Sequence, residues 1–449
     1  MSPPYKLTYF DIMGLAEPIR LLLSYGNLDF EDCRVPKESW PNIKPNMPFG
    51  QIPVLEFNGK VYHQSIAISR YLAKQVKLVG KDDIEDMEID AIVDVLMDFR
   101  SKVAKYHYDG DEAAKEAYAK TLFGEIVPYY LEKLDKQAKE NGGYLVGGKL
   151  TWADLILVGS IDYMNFMAKK ELLAGAPNLL KVKENVAAVP NVQKYLETRS
   201  NSHVYCQSKG LVLLVCREIG IVFKNIFFQT MDTARELKKM QQPLPSLTYF
   251  AVPGLAEPIR WLLAYGDYEY LENSISFDIW GDYKESTPAG QLPIFKVKGK
   301  VLHQSMAISR FLGTIQNLAG NTPMENWEID AAVDTVTDLR LKIVAWSVET
   351  DPERKDRLAY TLQNEFLPEF LGNLERQAEK NHGHLALKKI TWADIVFAAT
   401  DHFLSDVYTS AFGGTELLSG YPNLLSIVRS VRNIPTIKRW LSSRDHELS

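Results

Sequence analysis

The sequence predicts an α/β unit followed by an all-helical unit, the pair built twice within one chain of 449 residues. Three observations carry this. Leu7–Arg20 (LTYFDIMGLAEPIR) returns 240 residues later as Leu247–Arg260 (LTYFAVPGLAEPIR), and further segments keep the same offset. Each copy opens with short strand-like and helical stretches in alternation. Each then passes into long stretches with apolar residues at three- and four-residue spacing. GQIPV at Gly50 matches GQLPI at Gly290, VYHQSIAISR at Val61 matches VLHQSMAISR at Val301, and TWAD occurs at Thr151 and Thr391. An offset this long is no solenoid period. It marks two copies of a whole protein, so any site proposed for one half must be tested against the other.

The elements follow in order. A strand at Lys6–Phe10 (Ser246–Phe250 in the second copy) leads to a loop ending in Gly14 or Gly254. A helix comes next with Pro18 or Pro258 in its first turn, where the missing N–H costs little, and stops near Gly26 or Gly266. A second strand is expected at about Asp29–Arg34, then a short helix around Trp40–Lys44. Val54–Phe57 and Lys60–His63, joined by Asn58-Gly59, read as a hairpin. Gln64-Ser65 then opens a helix through Leu72. The order β-α-β-α-β-β-α within about 80 residues is that of a compact α/β domain.

From Asp82 to about Arg199 the period becomes helical: Ile84, Met87, Ile89, Ile92, Val93, Leu96 and Phe99 define a helix over Ile84–Lys102. Thr151 and Asp154 form a capping-box signal for a later helix. After that helix the second copy carries an insertion of about five residues, since Ala176-Pro-Asn-Leu-Leu pairs with Tyr421-Pro-Asn-Leu-Leu. The domains are therefore 1–80 and 81–206, a linker 207–244 belonging to neither copy, then 245–320 and 321–449.

Composition narrows the function. At 46% hydrophobic and 24% charged residues the chain is that of an ordinary globular protein, and a net charge of −6 speaks against a nucleic-acid partner. Three cysteines, Cys33, Cys206 and Cys216, are too few for a disulfide framework, so a reducing compartment is expected. No signal peptide is read at the N-terminus. The membrane-like stretch Gly210–Phe228 is interrupted by Arg217, Glu218 and Lys224, and is expected to be a linker helix packed on one copy, with no membrane span.

The motifs LTYF…GLAEPIR, GQIP, HQS.AI.R and TWAD together resemble those of the cytosolic glutathione transferases, with the fit best to the sigma class that includes the haematopoietic prostaglandin D synthases. The resemblance spans both copies, about 400 residues, and implies that each α/β unit is a thioredoxin-like domain binding glutathione. Tyr9 and Tyr249, at the ends of the first strands, are then the hydroxyls that donate to the glutathione sulfur. A free thiol is only a few per cent thiolate at neutral pH, and a donor that favours the anion by two pKa units supplies about 2.7 kcal/mol. Gln64 with Ser65, and Gln304 with Ser305, open helices whose free N–H groups attract a carboxylate, here the γ-glutamyl end. The family has a cis bond before Pro53 and Pro293, which turns Ile52 and Leu292 toward the cysteinyl portion, beside Gln51 and Gln291. Trp40 with Lys44, and Trp280 with Lys284, match glycyl-end contacts. Asp98 and Asp338 match the acid that reaches glutathione bound in the opposite subunit, which here is the other half of the chain or a second chain.

Departures from the family are also legible. Relatives carry an arginine at the position of Met13 and Pro253, or of Leu15 and Leu255; both copies lack it, which implies weaker thiol activation. In one branch carboxylates at the positions of Asp94 and Asp334 join others around a divalent metal, but Met97 and Thr337 replace one, so no strong metal site is expected. Phe10, Met13, Tyr106 and Tyr108 are expected to wall the electrophile site in copy one, and Phe250, Val252 and Trp346 in copy two. The function implied is conjugation of glutathione, as co-substrate, to small hydrophobic electrophiles in the cytoplasm, by an intramolecular pseudo-dimer or a homodimer. A glutathione-dependent prostaglandin isomerase or peroxidase, and a low-activity binding protein of ligandin or crystallin type, are the alternatives.

Overall fold

β1 (Tyr5–Phe10) is an inner strand of a four-stranded sheet of order β2-β1-β3-β4. β2 (Phe30–Val35) runs parallel to it with Tyr9 opposite Arg34, while β3 (Val54–Phe57) runs antiparallel and β4 (Lys60–Tyr62) completes the hairpin. Joining parallel neighbours requires a crossover, made by α1 (Glu17–Tyr25). In the second copy β5 (Ser246–Phe250), β6 (Leu271–Ile275), β7 (Ile294–Val297) and β8 (Lys300–His303) repeat the order as β6-β5-β7-β8. This computed structural model describes residues 4–199, 244–412 and 416–444. The linker helix expected at Gly210–Phe228, Cys206 and Cys216 lie outside the described residues. No helix among the described residues is long and apolar enough to cross a membrane.

The arginine of the GLAEPIR motif is structural. Arg20 is fully buried, and its guanidinium donates to the Ile12 carbonyl at 3.0 Å, to Glu17 at 3.1 Å and to Asp32 at 3.1 Å. It thereby ties the loop before α1 to β2, and those two carboxylates and the carbonyl compensate a charge that burial would otherwise penalise. Arg260 repeats the arrangement with Val252 and Glu257.

In the helical part, α4 (Asp83–Tyr108) starts where the Asp82 carboxylate accepts the Glu85 N–H at 2.8 Å. It continues one and a half turns past the expected Lys102, because Val103 and Tyr106 prolong the apolar stripe begun by Phe99. α7 (Trp152–Ala168) carries the capping box: Asp154 accepts the N–H groups of Thr151 at 2.7 Å and Leu145 at 2.8 Å. The Trp152 N–H donates to the Leu78 carbonyl at 3.0 Å, which joins the helical unit to the α/β unit. The insertion in copy two does not simply follow the matching helix. That helix, Trp392–Ala411, absorbs part of it, because Phe412 stacks on Trp346 and Tyr408 packs on Phe412; in copy one Lys169 takes a left-handed conformation (φ 54°) and ends α7.

The two copies touch along α3 (Ser65–Gln75) and α4. α3 packs on Pro323–Ser347, the counterpart of α4, and α4 packs on Ser305–Ile315, the counterpart of α3. At the centre four buried charges close a ring. Arg70 pairs with Asp90 at 2.8 Å in its own copy and with Asp330 at 3.2 Å across the boundary; Arg310 pairs with Asp330 at 2.8 Å and with Asp90 at 3.1 Å. Such a ring adds little net stability, but losing one member strands a buried charge at about 3–5 kcal/mol.

Candidate functional site

Tyr9 and Tyr249 occupy the ends of β1 and β5, 6% and 8% exposed. Each hydroxyl accepts a backbone N–H from the turn before the following helix: Leu15 to Tyr9 at 3.2 Å and Leu255 to Tyr249 at 3.0 Å. A phenol that accepts this way keeps its own proton to donate elsewhere. Burial raises the Tyr9 pKa above its usual value, against the opposing pull of the Leu15 N–H and of Arg100, so the group stays a protonated donor at neutral pH. Gly14 and Gly254 are what permit this approach. Both have positive φ (+47° and +46°), and a Cβ on either would stand 2.7 Å or 2.6 Å from the hydroxyl.

α3 begins at Ser65, preceded by Gln64 at φ 68°; Gln304 before Ser305 has φ 68° as well. Left-handed backbone at a non-glycine residue costs energy and is typical of positions held for a purpose. No side-chain cap is made there. The peptide bonds Ile52–Pro53 and Leu292–Pro293 are cis. Gln64 Nε2 donates to Asp338 at 3.1 Å, with Gln51 Nε2 3.5 Å from the same carboxylate oxygen. In mirror fashion Gln291 and Gln304 donate to Asp98 at 2.9 Å and 3.3 Å. The aspartate of each copy thus accepts from the glutamines of the other.

Trp40 and Trp280 pack edge-on against Phe10 and Phe250, at 5.3 Å and 5.5 Å, which sets them beside the tyrosines. Lys44 and Lys284 face the boundary between copies: Lys44 lies 3.4 Å from Glu369, and Lys284 sits over the Tyr129 ring at 4.9 Å.

The family models for the glutathione S-transferase N-terminal domain match residues 5–74 and 245–314, and those for its C-terminal domain match 97–199 and 337–444. The chain belongs to the glutathione S-transferase family. It is 50% identical over 202 residues to a glutathione S-transferase of Anopheles gambiae, covering 45% of this chain and all of that protein. It is 46% identical over 200 residues to glutathione S-transferase S1 of Drosophila melanogaster, covering 44% and 80%. Hematopoietic prostaglandin D synthase of Homo sapiens is 38% identical over 200 residues, covering 44% and 97%. One copy therefore matches a whole relative. This transferase takes glutathione as its co-substrate, and each thioredoxin-like half carries the domain that binds it.

Of the expected wall residues, Tyr106 and Trp346 are taken up in packing. In copy two a narrow crevice of about 10 Å³ lies against Gly254 and Leu255, lined by Met306, Val336, Thr337, Arg340, Val396 and Phe403. Trp346 is not part of it: the ring is 5% exposed and stacked on Phe412. Its counterpart Tyr106 packs on Phe123 at 5.3 Å. Tyr108 hydrogen-bonds the Tyr163 hydroxyl at 2.8 Å. Arg340 and Arg100 were not among the expected residues. Arg340 lines the cleft, and burial pulls its pKa below the usual guanidinium value, opposed by Tyr249 and Asp98. A lone helical arginine reads as a solvated charge. The available signal was that the two copies keep it at one register while Phe99 and Ser101 change to Leu339 and Leu341.

Asp94 and Asp334 lie partly buried beside the charged ring, each pushed up to about 7 by desolvation and by Asp90 or Asp330, against the pull of the arginines. Among the described residues no group of three or more histidines, cysteines or acids is placed to hold a metal ion.

Proposed function

We propose that this glutathione transferase carries two complete sites, in which Tyr9 and Tyr249 donate a hydrogen bond to the glutathione sulfur and hold it as thiolate for attack on hydrophobic electrophiles. The observation that carries this is the pair of hydroxyls that each accept a backbone N–H and so have a proton to give. Gln64, Ser65, Gln304 and Ser305 receive the γ-glutamyl end at the helix starts, and Asp338 and Asp98 take its ammonium from across the boundary. Gln51, Ile52 and Pro53, with Gln291, Leu292 and Pro293, align the cysteinyl backbone. Trp40, Lys44, Trp280 and Lys284 meet the glycyl carboxylate.

Arg100 and Arg340 supply the positive charge that Met13, Leu15, Pro253 and Leu255 do not. Their electrostatic pull on the tyrosines supports this, since a cation that favours the phenolate also favours a thiolate placed beside it. The Tyr108–Tyr163 hydroxyl pair becomes Val348 and Phe403 in copy two, which supports a more polar electrophile in copy one and a wholly apolar one in copy two.

The two copies act as each other's partner within one chain. The cross-boundary reach of Asp98 and Asp338 supports that reading. The low cysteine count supports a cytoplasmic setting. Steady-state conjugation of an aryl halide by the chain with both tyrosines changed to Phe tests the mechanism: loss of most turnover is expected, and unaltered turnover would refute it.

A further inference from the structure

A twofold interface uses one patch twice, so each contact has an identical mate. Here the Arg70–Asp90–Asp330–Arg310 ring and the glutamine contacts to Asp98 and Asp338 keep that symmetry. Around them the two halves have diverged in matched ways. Phe49 of copy one is 9% exposed, inserted into the core of copy two with Phe370 at 5.3 Å; its counterpart is Ala289. On Ala289's side the bulk comes from the other partner, Tyr129 of copy one. The Tyr129 hydroxyl occupies the space where a Cβ on Gly290 would project, and Lys133 and Lys284 flank its ring at 5.3 Å and 4.9 Å. The counterpart of Tyr129 is Glu369, which instead pairs with Lys44.

Further contacts are one-sided in the same sense. Trp327 donates to the His63 carbonyl at 3.2 Å and packs edge-on against Tyr62, where copy one has Met87 as the counterpart. Lys133 lies 3.6 Å from Glu285, and Arg354 lies 3.5 Å from Asp109; the counterparts of Lys133, Glu285 and Arg354 are Asn373, Pro45 and Ala114. Exposed ion pairs contribute little each. The aromatic exchange is what discriminates. Two first copies would set Phe49 against Tyr129 and Tyr130 on both sides, overfilling the joint, while Lys44 lost its acid. Two second copies would leave Ala289 opposite Phe370 twice, an unfilled hole.

We propose that the two copies have become partners specific to one another, each surface accepting the other copy and rejecting a second copy of itself. This rests on the reading that the copies pair within the chain. Pairing only with an unlike half would keep one site of each kind in every molecule.

The test cuts the intact chain at a protease site placed within 207–244, then records native mass spectra after long incubation of the two fragments. Complexes of one copy with the other are expected, with like pairs below about a tenth against about half for random association. Like pairs near half would overturn the specificity while leaving the pairing intact. Separate fragments would instead overturn the pairing itself. In the uncut chain, A289F should lower the unfolding midpoint and A289F/Y129E should regain most of it. A midpoint raised by A289F, or no recovery in the double variant, would count against the proposal.

Discussion

Replacing Tyr9 by Phe removes one hydroxyl and leaves the ring, which is 6% exposed, in place. Two consequences can be separated. The Leu15 N–H, now 3.2 Å from the oxygen, loses its acceptor, which costs about 1 kcal/mol of stability. The bound thiol loses its donor. A donor that lowers a thiol from about 8.5 to about 6.5 raises the thiolate fraction at pH 7 from about 3% to about three quarters, so its removal lowers the rate at that site about 25-fold. The deficit should shrink as pH rises and vanish above about pH 9, where the thiol ionises unaided. Ultraviolet titration of the thiolate in the glutathione complex reads this directly. Because Tyr249 keeps its hydroxyl, about half of the absorbance change should move up by two pH units and half should stay. A titration curve identical to that of the parent protein would refute the argument. Loss of activity without any shift would show that the hydroxyl orients glutathione and does not ionise it.

Further outcomes follow from the same geometry. Gly14→Ala sets a Cβ 2.7 Å from the Tyr9 hydroxyl at φ +47°, so it should cost about 1–2 kcal/mol of stability and mimic Y9F in the thiolate titration. Asp338→Ala removes the acceptor of Gln64 and Gln51 in the opposite copy. Calorimetric titration should then show one of two glutathione sites weakened about tenfold, and combining it with Y9F should place both defects in the same site. Asp94 and Asp334 are both raised to about 7, burial first among the causes. The folded chain then binds protons that the unfolded chain has released, so stability falls as pH rises from about 4 to 7 and stays low above it. D94N/D334N should erase that fall: melting at pH 8 moves up and at pH 5 changes little. An unchanged difference between the two pH values would contradict the assignment.

Much of the fold was legible because local chemistry and global position agree. Pro18 in a first turn, Asn58-Gly59 between two apolar runs and Thr151 with Asp154 each specify their element without outside help. Boundaries were less legible. α4 runs to Tyr108 because Val103 and Tyr106 find apolar neighbours, and the Trp392–Ala411 helix lengthens because Tyr408 packs on Phe412 and Phe412 on Trp346. Of the candidate residues, the glutamines of each copy meet the aspartate of the other, whereas Tyr106 and Trp346 turn into packing. Both are aromatic residues at helical spacing, and sequence does not say which face of a long helix meets a cleft.

By itself the sequence determined that two like units are joined, which strands and first helices each α/β part contains, and which side chains are kept in both. Those are properties of short segments and of self-comparison. Only the tertiary structure decided that Asp98 and Asp338 accept from the glutamines of the opposite copy, that Arg340 lies in the crevice beside Gly254, and that Phe49 is answered by Tyr129 on the side where Ala289 left room. Each of these joins residues far apart along the chain. The free energy of such a contact exists only once burial has brought the two surfaces together and removed the water between them.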